Sequence, residues 1–587
     1  MSTRATREWI HDTWSPLSYV EALGDGSPDH PIDRVGAGIP TWVDLHDARR
    51  LLAYRILTAY RDNTRRYWLP AHLKMRPLEV DQRGVTRFSS LSPAEKYREY
   101  GHANLLVETA RALVLGDDQQ IVCPDFEDCA DGTEPPPELV AAQDWLTSWA
   151  EQVGLMPKLH SMEENAVGDG DGVLVLSLDR TEPGNPRVRL DPYDPGFYFP
   201  DLASIDTTPG WTDLDYPPIV HLAWERNDPA NHQITYLRRV TWRMVPLTGP
   251  ARTAWDSTRV WTCLHSVTEW RTDMLRGSDT IYTLDPATGT TIQPETDLGI
   301  DFLPIIHVPN DEPGGRHFGR SVLLLIAQVL DDIAGSDTDL AITSEMVANP
   351  PVVTTGAGPD PALTTGPGAT WGLASGATAE MLDTSGVLTA GQAHNRTLLK
   401  TLAVNGRLSE ALIGRVDPTD VPSGLALQLG MAPTRSLVRA MRGVRTRKHA
   451  LLLKFALRLA QTAGLVPAGP TPKAVIDLGA ALPTDRAATI EEAKTLLAAG
   501  AISTGTAVRM LQAVGIPVED AQAEVDAIRA ESFAAAVQLV EATGDVAAAR
   551  KMLGLDDPGA PTGPPAPPAP VPPVNGPMPV PPVPPVA

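Results

Sequence analysis

Apolar side chains recur every three or four positions over residues 42–68, which is the period of an amphipathic helix. The predicted buried positions are Leu45, Ala48, Leu52, Ile56 and Ala59. The arginines of the opposite face are Arg49, Arg50, Arg61 and Arg65. We expect this basic face to be solvated or to meet another subunit, with contact to nucleic acid as the alternative. The same period over 103–115, ended by Gly116, predicts a second helix.

Shorter runs rich in β-branched and aromatic residues predict antiparallel strands from residue 168 to residue 308. Glycines and aspartates at 168–172 precede VLVLSL, and a turn at 182–186 leads into RVRL, so this part is predicted to be a hairpin. The further predicted strands are IVHLAW, QITYLRRVTWRMV, RVWTCLHSVTEWR, TIYTL and 303–308. Trp224, Trp242, Trp261 and Trp270 are interpreted as core residues. The predicted fold class is therefore α+β.

Two apolar-periodic helices then flank a helix-poor insert. The first, over 319–347, has a predicted apolar stripe of Val322, Leu325, Ile326, Val329, Ile333 and Leu340. Four carboxylates lie largely off this stripe: Asp331, Asp332, Asp337 and Asp339. The insert, 348–390, is rich in Gly, Pro and Thr and is predicted to form short strands and turns. The second helix is predicted over 391–413.

A polar turn and a long helix follow. Two prolines block helix continuation over 414–423, a turn that contains Arg415, Asp417 and Asp420. The helix predicted over 424–466 should be kinked at Pro433, with a buried stripe of Leu437, Met441, Val444, Leu451, Phe455 and Leu459. Arg435, Arg439 and Arg442 are predicted to share another face of this helix.

The two ends of the chain differ from its centre. Residues 1–40 are rich in Gly, Pro and Asp and are interpreted as an irregular arm, and 467–555 is predicted to form small Ala-rich helices. The last 32 residues contain 15 prolines and no Lys or Arg, which is typical of a disordered or polyproline tail.

Composition restricts the chemistry. A chain of 587 residues can form several cores. Its net charge of -23 argues against a sequence-reading nucleic-acid binder, although not against a surface past which DNA slides. No phosphate-binding loop, HExxH or GxSxG motif occurs, so neither an enzyme nor a cofactor is predicted. The most apolar run, 322–330, is too short to span a bilayer, and no membrane partner is expected.

The order helix, insert, helix, loop, long helix resembles the portal (head-to-tail connector) proteins of tailed bacteriophages. The segments that carry the resemblance are 304–310, 318–321, 332–339, 350–356 and 422–427. The resemblance implies an α-helical stem and crown, a mixed α/β wing and a small β-containing clip. The wing would be 41–318 with the kinked helix 424–466, the stem helices 319–347 and 391–413, the clip 348–390, the tunnel loop 414–423 and the crown 467–555.

The resemblance also implies a function and partners. The chain would form a homo-oligomeric ring, a dodecamer, at one capsid vertex, assembled in the host cytoplasm. Double-stranded DNA would pass through it during packaging and ejection. Expected partners are the terminase large subunit, a head-completion adaptor, and the major capsid and scaffolding proteins. In this reading Arg415, Asp417 and Asp420 lie near the duplex, and the four stem aspartates repel its phosphates. The three arginines then meet a neighbouring subunit or DNA.

Two alternatives stay open. One is another virion structural protein, such as a minor capsid or adaptor component. The other is a metal-dependent hydrolase that uses the dispersed carboxylates Glu163, Glu164, Asp169 and Asp171.

Overall fold

A computed structural model of the chain describes residues 39–64, 98–123, 136–247, 260–311, 316–355, 375–412, 430–479, 486–513 and 516–553, with short gaps inside some of these ranges. The fold is α+β, as predicted, and all of the described strand pairs are antiparallel. The chain forms two compact units, a first unit up to residue 482 and a second unit from residue 483. The predicted N-terminal arm, apart from residues 39 and 40, and the proline-rich tail lie outside the described residues.

The helices of the first unit are α1 (Leu45–Arg61), α2 (His102–Leu115), α3 (Pro137–Val153), α4 (Leu155–Asp169), α5 (Ser204–Thr207), α6 (Ala327–Ala348), α7 (Ser385–Asn405) and α8 (Ala432–Ala463). The second unit contains α9 (Arg486–Ala498), α10 (Thr504–Ala513) and α11 (Ala521–Thr543).

The strands are β1 (Gln120–Val122), β2 (Asp171–Asp179), β3 (Arg187–Tyr193), β4 (Tyr198–Pro200), β5 (Ile219–Asn227), β6 (Thr235–Pro246), β7 (Trp261–Arg271), β8 (Thr290–Asp297), β9 (Ile305–Pro309), β10 (Val352–Thr355), β11 (Thr378–Met381) and β12 (Val475–Asp477).

The predicted hairpin forms the centre of the first unit. Strands β2 and β3 pair as predicted, and β9 pairs with the other edge of β2. Eight of the nine residues of β2 are buried, which explains its nearly continuous apolar sequence. The core on this sheet also contains Leu159 of α4 and Leu452 and Ala456 of α8. The long helix α8 is therefore fixed on the sheet.

The second sheet has the strand order β4-β5-β6-β7-β8. The predicted core tryptophans Trp224, Trp242 and Trp270 are buried in it, as expected, whereas Trp261 is half-buried. The prediction of a strand at TIYTL was wrong, because this segment forms turns that bury Ile281. Strand β8 was missed because it is polar and contains Pro294, which an edge strand tolerates.

The burial register of α1 differs from the prediction. Leu45 and Ile56 are exposed, whereas Arg50 and Arg61 are nearly buried. The reason is that both arginines have partners outside α1: Arg50 donates to the carbonyls of Pro195 and Tyr198 at 3.0 and 2.9 Å, and Arg61 lies 3.4 Å from Asp169. Arg50 and Arg61 therefore join α1 to the core, whereas Arg49 is exposed, as predicted, and Arg65 lies outside the described residues.

Two predicted helix boundaries also change. Helix α6 begins at Ala327 instead of residue 319, because the preceding segment is bound to the end of α4: the Ser321 hydroxyl donates to the carbonyl of Gly168, and the Val322 amide to that of Val167. Leu325 of the predicted stripe is consequently exposed. Pro433 lies in the first turn of α8, where it costs no hydrogen bond. Residues 424–429, on the other side of the predicted kink, lie outside the described residues.

The strand β12 lies within the region that the sequence placed in the terminal helices. Its residues Val475 to Asp477 pair with β1, so this segment belongs to the first unit. In the second unit Gly500 follows α9 with φ +67°, and the Ser503 hydroxyl accepts from the Thr506 amide before α10. Gly500 and Ser503 thus supply a glycine helix stop followed by a helix N-cap.

Candidate functional site

Helices α6 and α7 pack against each other as an antiparallel pair. The close approaches show the direction: Gly406 lies near Ile326, Asn395 near Ser336, and Gly391 near Leu340. The helices have 22 and 21 residues, which corresponds to about 33 and 32 Å of length. The hairpin of β10 and β11 follows their ends directly. We call these four elements, α6, β10, β11 and α7, the arm.

Among the described residues, the arm packs on the rest of the first unit mainly through its base. Its base contributes Leu330, Ile333, Leu399 and Leu402 to a core shared with α2 and α8. Toward the hairpin burial falls off: of residues 386–397 in α7, Asn395 alone is buried. Large apolar side chains near the base and tip stay exposed, by 65% at Leu325, 63% at Val387 and 73% at Val404. One subunit therefore leaves much of the arm uncovered.

The four candidate stem aspartates fall into two pairs. Asp331 accepts a hydrogen bond of 2.8 Å from the Tyr60 hydroxyl, and Asp337 accepts one of 2.6 Å from the side-chain amide of Asn395. Asp332 and Asp339 are exposed on α6. The first pair fixes the arm to α1 and joins its two helices, while the second pair presents negative charge to solvent.

The candidate arginines of α8 also differ in their exposure to solvent. Arg435 and Arg439 are exposed, in keeping with a surface role. Arg442 is half-buried and donates to the carbonyls of Leu113 and Val114 at the end of α2, and to that of Gly479. It thus binds carbonyls that the end of a helix leaves without partners, and its guanidinium is engaged inside the subunit. The tunnel-loop candidates Arg415, Asp417 and Asp420 lie outside the described residues.

A buried ion pair that the sequence did not predict holds α8 in place. Arg445 and Glu163 are both fully buried, and the guanidinium donates to both carboxylate oxygens at 2.8 to 3.1 Å. Arg445 also donates to the backbone carbonyl and the side-chain oxygen of Asn310. It therefore joins α8, α4 and the residue after β9 in one network.

A second buried centre is the carboxylate of Asp171 at the start of β2. It accepts from the Tyr54 hydroxyl at 2.5 Å, from the backbone amide of Gly319 at 2.8 Å, and pairs with the His307 Nε2 atom at 2.8 Å. The ring of His307 stacks on His317 with centroids 4.6 Å apart. Burial lowers the pKa of His317 to about 2, and the nearby His307 acts in the same direction. These neutral rings fix the segment that leads into the arm.

His449 of α8 gives the fold a pH dependence. Burial lowers the pKa of this histidine from 6.5 to about 4, and neither ring nitrogen has a hydrogen-bond partner among the described residues. Because the folded-state pKa lies below the unfolded one, the stability that neutral His449 provides is complete above pH 6.5 and is lost as the pH falls toward 4.

We therefore expect His449→Leu to protect the first unit against acid. Relative to the wild type, the variant should gain about 2 kcal/mol in free energy of unfolding between pH 8 and pH 5, because a neutral side chain needs no proton. Urea titrations at both pH values measure this difference. An equal difference between the two proteins at pH 8 and pH 5 would contradict the assignment.

The carboxylates of the hydrolase alternative each have a basic or hydrogen-bonding neighbour. Glu163 binds Arg445, and the half-exposed Glu164 lies 3.5 Å from Arg111. Burial raises the pKa of Asp169 to about 7, against the opposing charge of Arg61. Within the described ranges, no three His, Cys, Asp or Glu side chains are grouped so that they could hold a metal ion. Of the helices that the structure describes, none is long and apolar enough for a membrane crossing.

Comparisons with known proteins find solved structures only. No protein-family model matches the chain, and no curated protein matches it. The chain is similar to one from the neck of a native gene transfer agent particle computed with C12 symmetry, with 14% identity and a TM-score of 0.36, over 71% of this chain and 91% of that chain. It is likewise similar to one from the virion of a native gene transfer agent particle, with 14% identity and a TM-score of 0.35, over 70% and 88%.

Proposed function

We propose that the chain is a non-enzymatic structural protein of a phage-like virion and, more specifically, the ring-forming portal subunit of its DNA vertex. The observation that carries the proposal is the arm, a pair of antiparallel helices with a β-hairpin at its tip. The exposed apolar side chains Val387 and Val404 of the arm, with Leu325 in the segment just before α6, favour burial against identical neighbours. A closed ring of copies would cover them.

The charges of the arm fit a conduit for DNA. Asp332 and Asp339 are exposed on α6, where they would repel the phosphates of a passing duplex and keep contact weak. No motor chemistry is proposed for the chain itself, so the energy for DNA movement would come from the terminase large subunit.

The hairpin at the tip supplies a docking device. Among the described strands, β10 and β11 pair only with each other, so each has an outer edge whose main-chain groups a partner strand could bind. We propose this hairpin as the docking point for the terminase large subunit and later for a head-completion adaptor. The major capsid and scaffolding proteins would contact other parts of the ring.

Negative-stain imaging and mass photometry of the purified full-length chain test the proposal. We expect closed rings of one subunit number, the dodecamer being the prediction. Leu325→Asp and Val404→Asp should reduce the chain to monomers, because each buries a charge in the subunit contact. Met274→Asp is the matched control, since Met274 is 68% exposed outside the arm and should leave the rings intact.

A strictly monomeric wild-type chain at high concentration would contradict the proposal. So would rings that both arm variants leave unchanged.

A further inference from the structure

A cleft of about 630 Å³ lies in the first unit beside the C-terminal half of α8. Its other walls are the segment before β5, residues 301–303, and the segment before β12. The volume is in the range of ligand-binding pockets, about 300 to 1,000 Å³. Neither the arm nor the candidate arginines Arg435, Arg439 and Arg442 line it.

Aromatic rings form the apolar part of the cleft. Phe302 and Phe455 stack with ring centroids 4.1 Å apart. Trp211 is fixed by its indole N–H, which donates to the carbonyl of Tyr216 at 2.8 Å, and by an edge contact with Trp261. These rings are held by contacts inside the subunit, so the apolar surface exists before any ligand binds.

The polar part of the cleft is strongly basic. Five cationic side chains and two carboxylates line it, which leaves a net charge of about +3 in a chain whose total charge is -23. The cationic residues are Arg447, Lys448, Lys454, Arg458 and Lys473. Arg458 pairs with Asp301 at 2.6 Å, and the Lys448 ammonium lies 4.5 Å from the centre of the Tyr216 ring. Lys454 and Lys473 are exposed at the cleft.

We propose that this cleft binds an acidic peptide segment of a partner protein, with an aromatic or aliphatic side chain of that segment seated on the rings. Carboxylates would meet the lysines, while the anchor residue would cover the partly exposed rings of Phe455 and Trp211. A nucleic-acid backbone fits less well, because it carries a phosphate at every nucleotide and needs an extended basic surface, whereas this cleft has five cationic side chains in a chain of net charge -23. The proposal does not depend on ring formation.

Fluorescence anisotropy with the full-length chain tests whether the cleft binds an acidic peptide. The probe is a short fluorescein-labelled peptide of glutamates around a single tryptophan, and two matched peptides carry Gln for each Glu or Ala for the Trp. We expect the acidic Trp peptide to bind, and we expect each matched peptide to bind with an affinity lower by about tenfold or more. Raising the salt concentration should weaken binding, since the cleft lysines are exposed.

Charge reversal at the cleft provides a second test of the proposal. Lys454→Glu combined with Lys473→Glu should weaken binding of the acidic peptide by about tenfold or more. The control pair is Lys494→Glu with Arg529→Glu, which makes the same charge change at exposed positions of the second unit and should leave the affinity within about twofold. Circular dichroism establishes that both double variants are folded.

Three results would overturn the proposal. The acidic Trp peptide could fail to bind at millimolar concentration. A single-stranded oligonucleotide could bind as tightly and lose affinity in the Lys454→Glu, Lys473→Glu variant, which would make the cleft a polyphosphate site. That variant could also change the subunit number of the wild-type assembly, which would make a second copy of the chain the occupant. Failure of ring formation alone leaves the peptide assay unaffected, so the two proposals fail separately.

Discussion

Arg445→Met is expected to lower the free energy of unfolding of the first unit by about 3–5 kcal/mol, because it leaves the buried carboxylate of Glu163 without its cation. The Asn310 carbonyl and side-chain oxygens lose a donor in the same variant. Urea unfolding followed by circular dichroism measures the change. Arg439→Met is the matched control on the same helix, where an exposed side chain should change stability by less than about 0.5 kcal/mol.

The double variant Glu163→Leu, Arg445→Met separates charge from packing. Removing both ions relieves the cost of a single buried charge, so the double variant should be more stable than Arg445→Met alone. If Arg445→Met unfolded no more easily than Arg439→Met, the ion pair would contribute little. If the double variant were less stable than Arg445→Met, loss of packing would explain the destabilisation instead.

The second large effect is expected for Asp171→Ala, which should lower the free energy of unfolding of the first unit by about 3 kcal/mol. This variant removes the acceptor of the Tyr54 hydroxyl, the Gly319 amide and the His307 ring, and hydrogen bonds to charged groups contribute about 1.5–3 kcal/mol each without adding fully. Urea unfolding again measures the loss. Asp273→Ala is the control, since the Asp273 side chain is 61% exposed and pairs with the nearby Arg271 on the surface.

Hydrogen exchange of the Asp171→Ala variant tests where the stability is lost. The Gly319 amide donates to Asp171, so exchange over residues 316–326 should accelerate more than exchange over β6. Equal acceleration in both segments would mean that the carboxylate supports the whole unit and does not specifically fix the segment before the arm.

Local periodicity predicted the helices and strands well where their buried side chains are apolar. The hairpin of β2 and β3, the central strands of the larger sheet and helix α2 all follow from runs of apolar or β-branched residues that lie at the correct spacing. The glycine stop before α10 and its serine cap follow equally from turn chemistry.

Prediction failed where charged residues are buried. Arg61 in α1 and Arg445 in α8 were assigned to solvent or left unmentioned, because a single sequence does not show which carboxylate will reach them. The partner of Arg445 lies 282 positions earlier in the chain. Consequently Leu45 and Ile56 were assigned to the core although they are exposed. An arginine on the apolar side of a helix, as at Arg445, was the available signal.

The candidate site was predicted in outline more than in detail. The order helix, insert, helix follows from composition, and the arm has that order with strands β10 and β11 inside the insert. The helix bounds shifted to Ala327–Ala348 and Ser385–Asn405, because the Ser321 contacts delay the first helix and Gly406 follows the second. The role of Arg442 as a cap for α2 depends on tertiary contacts that no local pattern encodes.

The pairing of Glu163 with Arg445 also constrains how the protein is made. On the ribosome, Glu163 emerges long before Arg445, and at about 5–20 residues per second the delay is on the order of tens of seconds. Strand β1 similarly waits for β12, which is translated near the end of the first unit. The nascent chain therefore carries a carboxylate without its cation and a strand without its partner through much of translation, and chaperones could bind it during this period.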